Sequence, residues 1–158
     1  MPDGGVEIKI EGLNELIKKL DDLGKLDKVK AGIKGAALDL RGILSKYPAR
    51  KHIPISAVGG WASEKQRRWF FANLREGKIK IPYSRTNALK NRWTTKFEDA
   101  GFTAIVGNNT PYGPFVMGDK QTKMMQMIDW KTVDTIAKEE TKRIQEYVFD
   151  AVRKAVGA

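Results

Sequence analysis

The chain has 158 residues, of which 41% are hydrophobic, so we predict a single domain over residues 1–158 with one core and no need of cross-links. Because the chain has no cysteine and only one histidine, it has no disulfide framework or thiolate metal site, and we expect no metal and no cofactor. It also lacks a long apolar run and a signal peptide, so we expect it to be soluble, intracellular and free of membrane contact. The formal charge of +10 comes from the middle, where residues 46–92 hold 12 basic and 2 acidic side chains, against 8 and 8 before them and 9 and 9 after.

The first third of the chain has the pattern of a strand followed by two helices. Residues 6–10 alternate apolar and charged side chains, which predicts a strand with one buried face. Asn14 is placed to cap a short helix that ends near Gly24. Apolar residues then recur every three or four positions over 29–47, which predicts a long amphipathic helix that stops before Pro48.

The middle of the chain predicts two loops separated by a helix. Residues 48–62 and 76–91 contain prolines, glycines and asparagines without apolar periodicity, so both should be long surface loops. Ser63 followed by Gln66 has the sequence of a helix start, and the helix should end at Gly77. The apolar edge of this short, basic helix is expected to consist of Trp69, Phe70 and Leu74.

The last third predicts a β-hairpin and a long helix. Residues 92–107 alternate in two runs around a turn at 98–101. Residues 107–116 are irregular, and either a short edge strand or a packed loop accounts for them. Thr132 is placed to cap the last helix. The chain should therefore have an α+β fold: a small antiparallel sheet with a β-hairpin, packed by a long helix from the N-terminal half and a C-terminal helix, with long basic loops.

The sequence predicts a protein that is not an enzyme. His52 lies in a basic loop with no suggested acid or base partner, and the carboxylates are interspersed with lysines as on solvated helix faces. Gly32 and Gly35 fall within a helical stripe instead of a phosphate-binding loop, so their small size indicates close packing of that helix against a neighbour.

The basic segment 46–92 leaves two interpretations open. Its cations would attract phosphate groups and its aromatic rings could stack on bases, which would make the chain a basic nucleic-acid-binding module. At helical spacing, however, Trp69 and Phe70 more often pack into a core or a contact between subunits. We favour the contact and keep the nucleic-acid module as the alternative.

The order of the motifs resembles a known family. Residues 12–16 resemble its opening, residues 85–89 its Arg-Thr-Gly-x-Leu motif, and residues 108–118 its Asn-x-x-Tyr-Ala-x-Tyr-Val-x-Gly motif. That family is the neck, or tail-completion, proteins of long-tailed bacteriophages and prophages, also called minor tail proteins. A subgroup is matched by residues 83–93, Gln121 and Trp130.

The chain departs from the family pattern at a few positions. Asn87 stands where the family has glycine, and this exchange is mild because asparagine tolerates a left-handed backbone. Gly113 and Phe115 replace the commoner alanine and tyrosine.

The resemblance implies a structural virion protein of the neck, assembled in the host bacterial cytoplasm, with no catalytic role. It would form a homo-oligomeric ring that joins a head-closure or connector protein to the tail tube or tail terminator protein, with nonspecific contact to phage DNA as a further expectation. A head-to-tail ring needs two different complementary surfaces on each subunit, and the basic loops could supply one. The residues expected to line contacts with a neighbouring subunit, an adjacent ring or the DNA exit path are Trp61, Arg67, Arg68, Trp69, Arg85 and Arg92. The next candidates are Tyr112, Phe115 and Val116.

Overall fold

The computed structural model describes residues 5–9, 15, 23–52, 54–81 and 86–157. Its fold is α+β, as predicted; the short helix predicted after Asn14 lies outside the described residues, Glu15 apart. The elements in chain order are β1 (Val6–Lys9), α1 (Leu23–Leu44), a 3-10 turn (Ile55–Ala57), α2 (Glu64–Arg75), α3 (Ala88–Asn91), β2 (Trp93–Glu98), a second 3-10 turn (Asp99–Gly101), β3 (Thr103–Asn108), α4 (Gly113–Met117), α5 (Lys123–Met127) and α6 (Val133–Val156).

The three strands form one antiparallel sheet in the order β1-β3-β2. The predicted hairpin is confirmed: β2 pairs with β3 from Trp93 opposite Asn108 to Glu98 opposite Thr103. β1 lies on the other side of β3, with Val6 opposite Val106. Because β3 is flanked on both sides, it is the most buried strand of the sheet.

The two long helices pack closely and antiparallel. A Cβ atom at Gly32 would lie 2.3 Å from the Cβ of Ala151, so the α1 and α6 backbones approach each other where glycine and alanine meet. Farther along, Arg143 Nε lies 2.9 Å from Asp39 Oδ2 and fixes the same pairing. The close packing predicted from the small residues of α1 is confirmed at Gly32.

The core lies around α1, which contacts both the β2–β3 hairpin and α6. One stripe of α1 is completely buried, because one side of it faces the sheet and the other faces α6. Among the described residues, no helix is long and apolar enough to span a membrane. The fully buried residues of that stripe are Val29, Ile33, Ala36, Ala37 and Leu40.

The first long helix begins earlier than predicted. α1 starts at Leu23, so Gly24 lies inside its first turn and does not separate two helices. A glycine costs about 1 kcal/mol of helix stability relative to alanine, because its backbone is freer in the unfolded chain, and this cost is small enough for the helix to include it. The apolar stripe of the following residues determines the helix.

Three short helices replace predicted irregular structure. The end of the predicted loop 76–91 forms α3, which begins after Asn87 in a left-handed conformation (φ 60°). α4 forms where an edge strand or packed loop was expected, with proline in its first turn, where a missing N–H does no harm. α5, after Thr122, was not predicted. Helices of four or five residues are too short to show an apolar period.

Candidate interaction surface

Residues 46–92 connect α1 to β2, and we call their described part (46–52, 54–81 and 86–92) the basic arm. Ion pairs within the molecule neutralise part of the positive charge of the arm. Lys51 pairs with Asp129, Arg67 and Arg68 lie beside Glu64, and Lys78 lies beside Glu76. Its other described cations are exposed and have no carboxylate partner within the described part of the chain. They are Lys46, Arg50, Lys65, Arg75, Lys80, Lys90 and Arg92.

Helix α2 of the arm has the start and end that its sequence predicts. The Gln66 N–H donates to Ser63 Oγ at 3.1 Å, and Gln66 Oε1 accepts from the Ala62 N–H at 2.7 Å. In a standard capping box the second bond would come from the N–H of Ser63 itself. At the other end, Gly77 is left-handed (φ 71°) and its N–H donates to the Leu74 carbonyl, which closes the helix.

The inner face of α2 is held by aromatic rings. Phe70 is buried, and its ring centroid lies 4.8 Å from that of Trp61. Phe71 lies 5.7 Å from the same Trp61 ring, and Leu74 is partly buried in the same core. Trp61, predicted as a contact residue, thus packs beneath α2 within its own subunit.

The prediction that Trp69 belongs to the apolar edge of α2 is wrong. Its side chain is 60% exposed, because each helical residue is turned by about 100° from the next and the edge is formed by Phe70, Phe71 and Leu74 instead. Trp69 falls on the opposite face, which we call the outer face of α2. This face consists of Lys65, Arg68, Trp69 and Ala72, all exposed.

The base of the arm is fixed by one contact between its two ends and by two contacts with residues that follow α5. The hydroxyl of Tyr47 accepts a hydrogen bond from the Lys90 N–H at 3.1 Å, which joins the two ends of the arm. The Tyr47 ring also lies 5.0 Å from that of Trp130. Lys51 Nζ lies 3.1 Å from Asp129 Oδ2. These contacts hold the arm at the open end of the β2–β3 hairpin.

A second group of predicted contact residues lies at that same end of the hairpin. The Asn109 N–H donates to the Arg92 carbonyl at 3.3 Å, which places the backbone of Arg92 beside the segment that leads into α4. Tyr112 and Phe115 are exposed there. We call Arg92, Tyr112 and Phe115 the hairpin-end patch.

Val116 does not belong to this exposed group. It is only 9% exposed and packs with Met117 into the core, so its prediction as a contact residue is corrected to a core residue. The physical reason is that residues 113–117 are helical, and a helix turns neighbouring side chains to different sides. Arg85, also predicted, lies outside the described residues.

Residues of the family-like motif hold the hairpin end in shape. Asn108 Nδ2 donates to the Leu89 carbonyl at 2.7 Å, and Asn108 Oδ1 accepts from the N–H and the hydroxyl of Thr110 at 2.9 and 2.6 Å. Gln121 Nε2 donates to the carbonyls of Val116 and Trp130 at 2.8 and 2.7 Å. These hydrogen bonds lie within the subunit, and they stabilise the backbone that carries the hairpin-end patch.

The glycine at position 118 also has a structural role at this end of the hairpin. A Cβ atom there would lie 2.6 Å from Pro114 Cα, so no side chain fits. The chain can therefore turn tightly out of α4 only with glycine at this position.

Sequence reasoning grouped Lys65 with the aromatic and basic residues of this helix, and the structure places Lys65 one helical turn before Trp69. It missed one contributor to the surface, the hydroxyl of Tyr47. Tyr47 was assigned to the apolar stripe of α1, and no local pattern indicates that its hydroxyl reaches Lys90, because this contact joins residues 43 positions apart.

The titratable chemistry near these surfaces is limited. On β2, a hydrogen bond from Lys96 to Glu98 and the charge of that carboxylate raise the pKa of the exposed Lys96. Within the described ranges, no three side chains of the types that bind metals are grouped together. No known protein family, curated protein or solved structure matches the chain.

Proposed function

We propose that the chain is a structural protein of the phage neck, a ring-forming tail-completion protein that joins the head-side connector to the tail tube. The observation that carries this proposal is the exposure of two large aromatic side chains, Tyr112 and Phe115, in the hairpin-end patch with Arg92. Exposed aromatic groups of this kind mark surfaces that become buried in an assembly. The role requires binding alone and no catalytic step.

The family-like motif supports the proposal in a second way. Asn108, Gly118 and Gln121 each make a contact that another residue type would not reproduce, and together they hold the hairpin end. Asn87 occupies the family's glycine position and takes a left-handed conformation, which glycine also adopts readily. The departure at position 87 therefore preserves the backbone that the motif requires.

The uneven charge of the molecule suits a head-to-tail ring. Residues 46–92 carry 12 basic and 2 acidic side chains, whereas each flanking segment is neutral overall. A ring of identical subunits joined head to tail needs two unlike surfaces, and the basic arm differs in charge from the remainder of the chain. The hairpin-end patch and the base of the arm would form one surface of each contact, toward a neighbouring subunit, the connector or the tail terminator protein.

The proposal is tested by removing the gene from the phage that encodes it and restoring it on a plasmid. Without the protein, we expect filled heads and separate tails in electron micrographs of the lysate, and joined particles after restoration. Purified protein should form rings, or bind isolated tails, by light scattering in both moderate and high salt. Joined particles without the gene, or a monomer that ignores tails, would refute the proposal.

Two matched variants locate the surface. Phe115→Ala should abolish ring formation or tail binding, because Phe115 is 49% exposed and belongs to the hairpin-end patch. Phe149→Ala removes an aromatic side chain of similar exposure, 58%, from α6 and should retain both. Equal losses in the two variants would place the contact elsewhere.

A further inference from the structure

The outer face of α2 presents charge and an aromatic ring together. Lys65 and Arg68 lie one turn and one residue before Trp69, and Ala72 follows one turn later. The small side chain of Ala72 leaves one flank of the Trp69 ring uncovered. Arg68 has Glu64 at 3.6 Å, but an exposed pair of this type holds its charges weakly, and Lys65 has no such partner in the described chain.

We infer that this face is a nucleic-acid contact that does not depend on sequence, with phosphates at Lys65 and Arg68 and a base against Trp69. The inference goes beyond the proposed assembly role and does not rest on it. The face runs from Lys65 to Ala72, about 10 Å along the helix, which corresponds to about three nucleotide steps of a strand. Further exposed cations of the arm, such as Lys46 and Lys90, add to its positive charge.

A nucleic acid fits this surface better than an acidic protein does. The arm's cations are spread over loops and helix, and a protein partner would need carboxylates matched to each position. A phosphate backbone offers a negative charge at every nucleotide, so it can satisfy such a spread without a matched arrangement. When cations of the protein bind a nucleic acid, counterions condensed on the phosphates are released, and this release adds affinity. An acidic protein surface gains less affinity in this way.

Trp69 distinguishes single strands from duplexes. Bases in a duplex are stacked on each other and present only their edges, whereas an unpaired base can lie against the indole ring. The cations should therefore contribute to binding of both forms, and Trp69 only to binding of the single strand.

The test measures binding of labelled 20-nucleotide single strands and duplexes of arbitrary sequence by fluorescence anisotropy over a range of salt. For the duplex, K65Q/R68Q should reduce the slope of log K against log salt by about 2, because two phosphate contacts are lost. The control K138Q/K142Q removes the same charge from exposed positions on α6 and should leave the slope unchanged. Trp69→Ala should weaken single-strand binding about tenfold and duplex binding less than twofold.

Other outcomes overturn the inference. Equal slopes for the arm and control variants would mean that net charge alone attracts the nucleic acid. Polyglutamate that competes as well as DNA at equal charge would indicate an acidic protein partner instead. Urea unfolding of each variant should match that of the unmodified protein, so that a difference in binding reflects the altered surface and not a loss of folding. Rings that form while these DNA effects are absent would leave the assembly proposal standing and remove this one.

Discussion

Gly32 and Gly42 lie in the same helix but in opposite surroundings. A Cβ at Gly32 would lie 2.3 Å from Ala151 Cβ and 3.1 Å from the Tyr147 carbonyl oxygen, whereas nothing lies within 4 Å of one at Gly42. Helix propensity favours alanine over glycine by about 1 kcal/mol at both sites. Only the close approach of α6 therefore distinguishes the two positions.

We expect opposite effects from the same substitution at these two glycines. Gly32→Ala should lower the free energy of unfolding by about 1 to 3 kcal/mol, because α1 and α6 must move apart. Gly42→Ala should raise it by about 0.5 to 1 kcal/mol. Urea titration followed by circular dichroism measures both, and stabilisation by Gly32→Ala would show that the helices are not in this contact.

The two asparagines that end the hairpin should also differ. Asn108→Ala removes bonds to the Leu89 carbonyl and to the buried Thr110, so we expect a loss of about 2 to 3 kcal/mol in the free energy of unfolding. Asn109 is exposed and contributes its backbone N–H, so Asn109→Ala should change this energy by less than about 0.5 kcal/mol. Thermal and urea unfolding of the pair test the difference. Similar losses would contradict the assigned role of Asn108.

At the scale of elements, α2 differs from the two long helices. Its contacts are with rings and loops of the arm, while α1 and α6 pack against each other over most of their length. Phe70 is its only buried residue. An element with so little buried surface should open separately from the core.

Hydrogen exchange tests this separate opening. Amides of α2 should exchange faster than those of α1 and α6, and Ser63→Ala should speed α2 exchange about fivefold further, because a lost N-cap costs about 1 kcal/mol. The matched change Thr132→Ala removes the cap of α6 and should leave α2 exchange unaltered. If Thr132→Ala also accelerates α2, the arm opens only together with the core.

The elements that sequence reasoning found are those long enough to show a period. The hairpin follows from alternation over 93–106, and α6 from its Thr132 cap and a stripe of more than six turns. Helices α3, α4 and α5 are too short for that signal. For α2, a helix was predicted with the correct ends, but Trp69 was assigned to the wrong side, since adjacent aromatic residues leave the direction of the core ambiguous.

At the scale of the whole molecule, the arm and the hairpin-end patch lie together at the open end of the hairpin. If this end contacts a different surface on the next subunit, a subunit defective only at this end still binds through its other surface. Such a subunit would stop a growing chain before the ring closes. A symmetric two-fold contact would lack this property.

Mixing experiments test the head-to-tail arrangement of the proposed ring. A Phe115→Ala subunit added at about one part in six should reduce the yield of closed rings well beyond its share, with short open oligomers in their place. Native mass spectrometry or light scattering resolves these species, and Phe149→Ala serves as the neutral control. Ring loss in simple proportion to the added variant would contradict head-to-tail closure.

The sequence by itself determined the α+β class, the hairpin, the long helices and the concentration of charge in residues 46–92, because each depends on local periodicity, capping or composition. Only the tertiary structure decided which side of α2 faces outward, that Trp61 and Val116 are packed while Trp69 is not, and that the two ends of the arm meet through Tyr47 and Lys90. These features depend on contacts between residues far apart in the chain, and no local pattern encodes which distant side chain arrives.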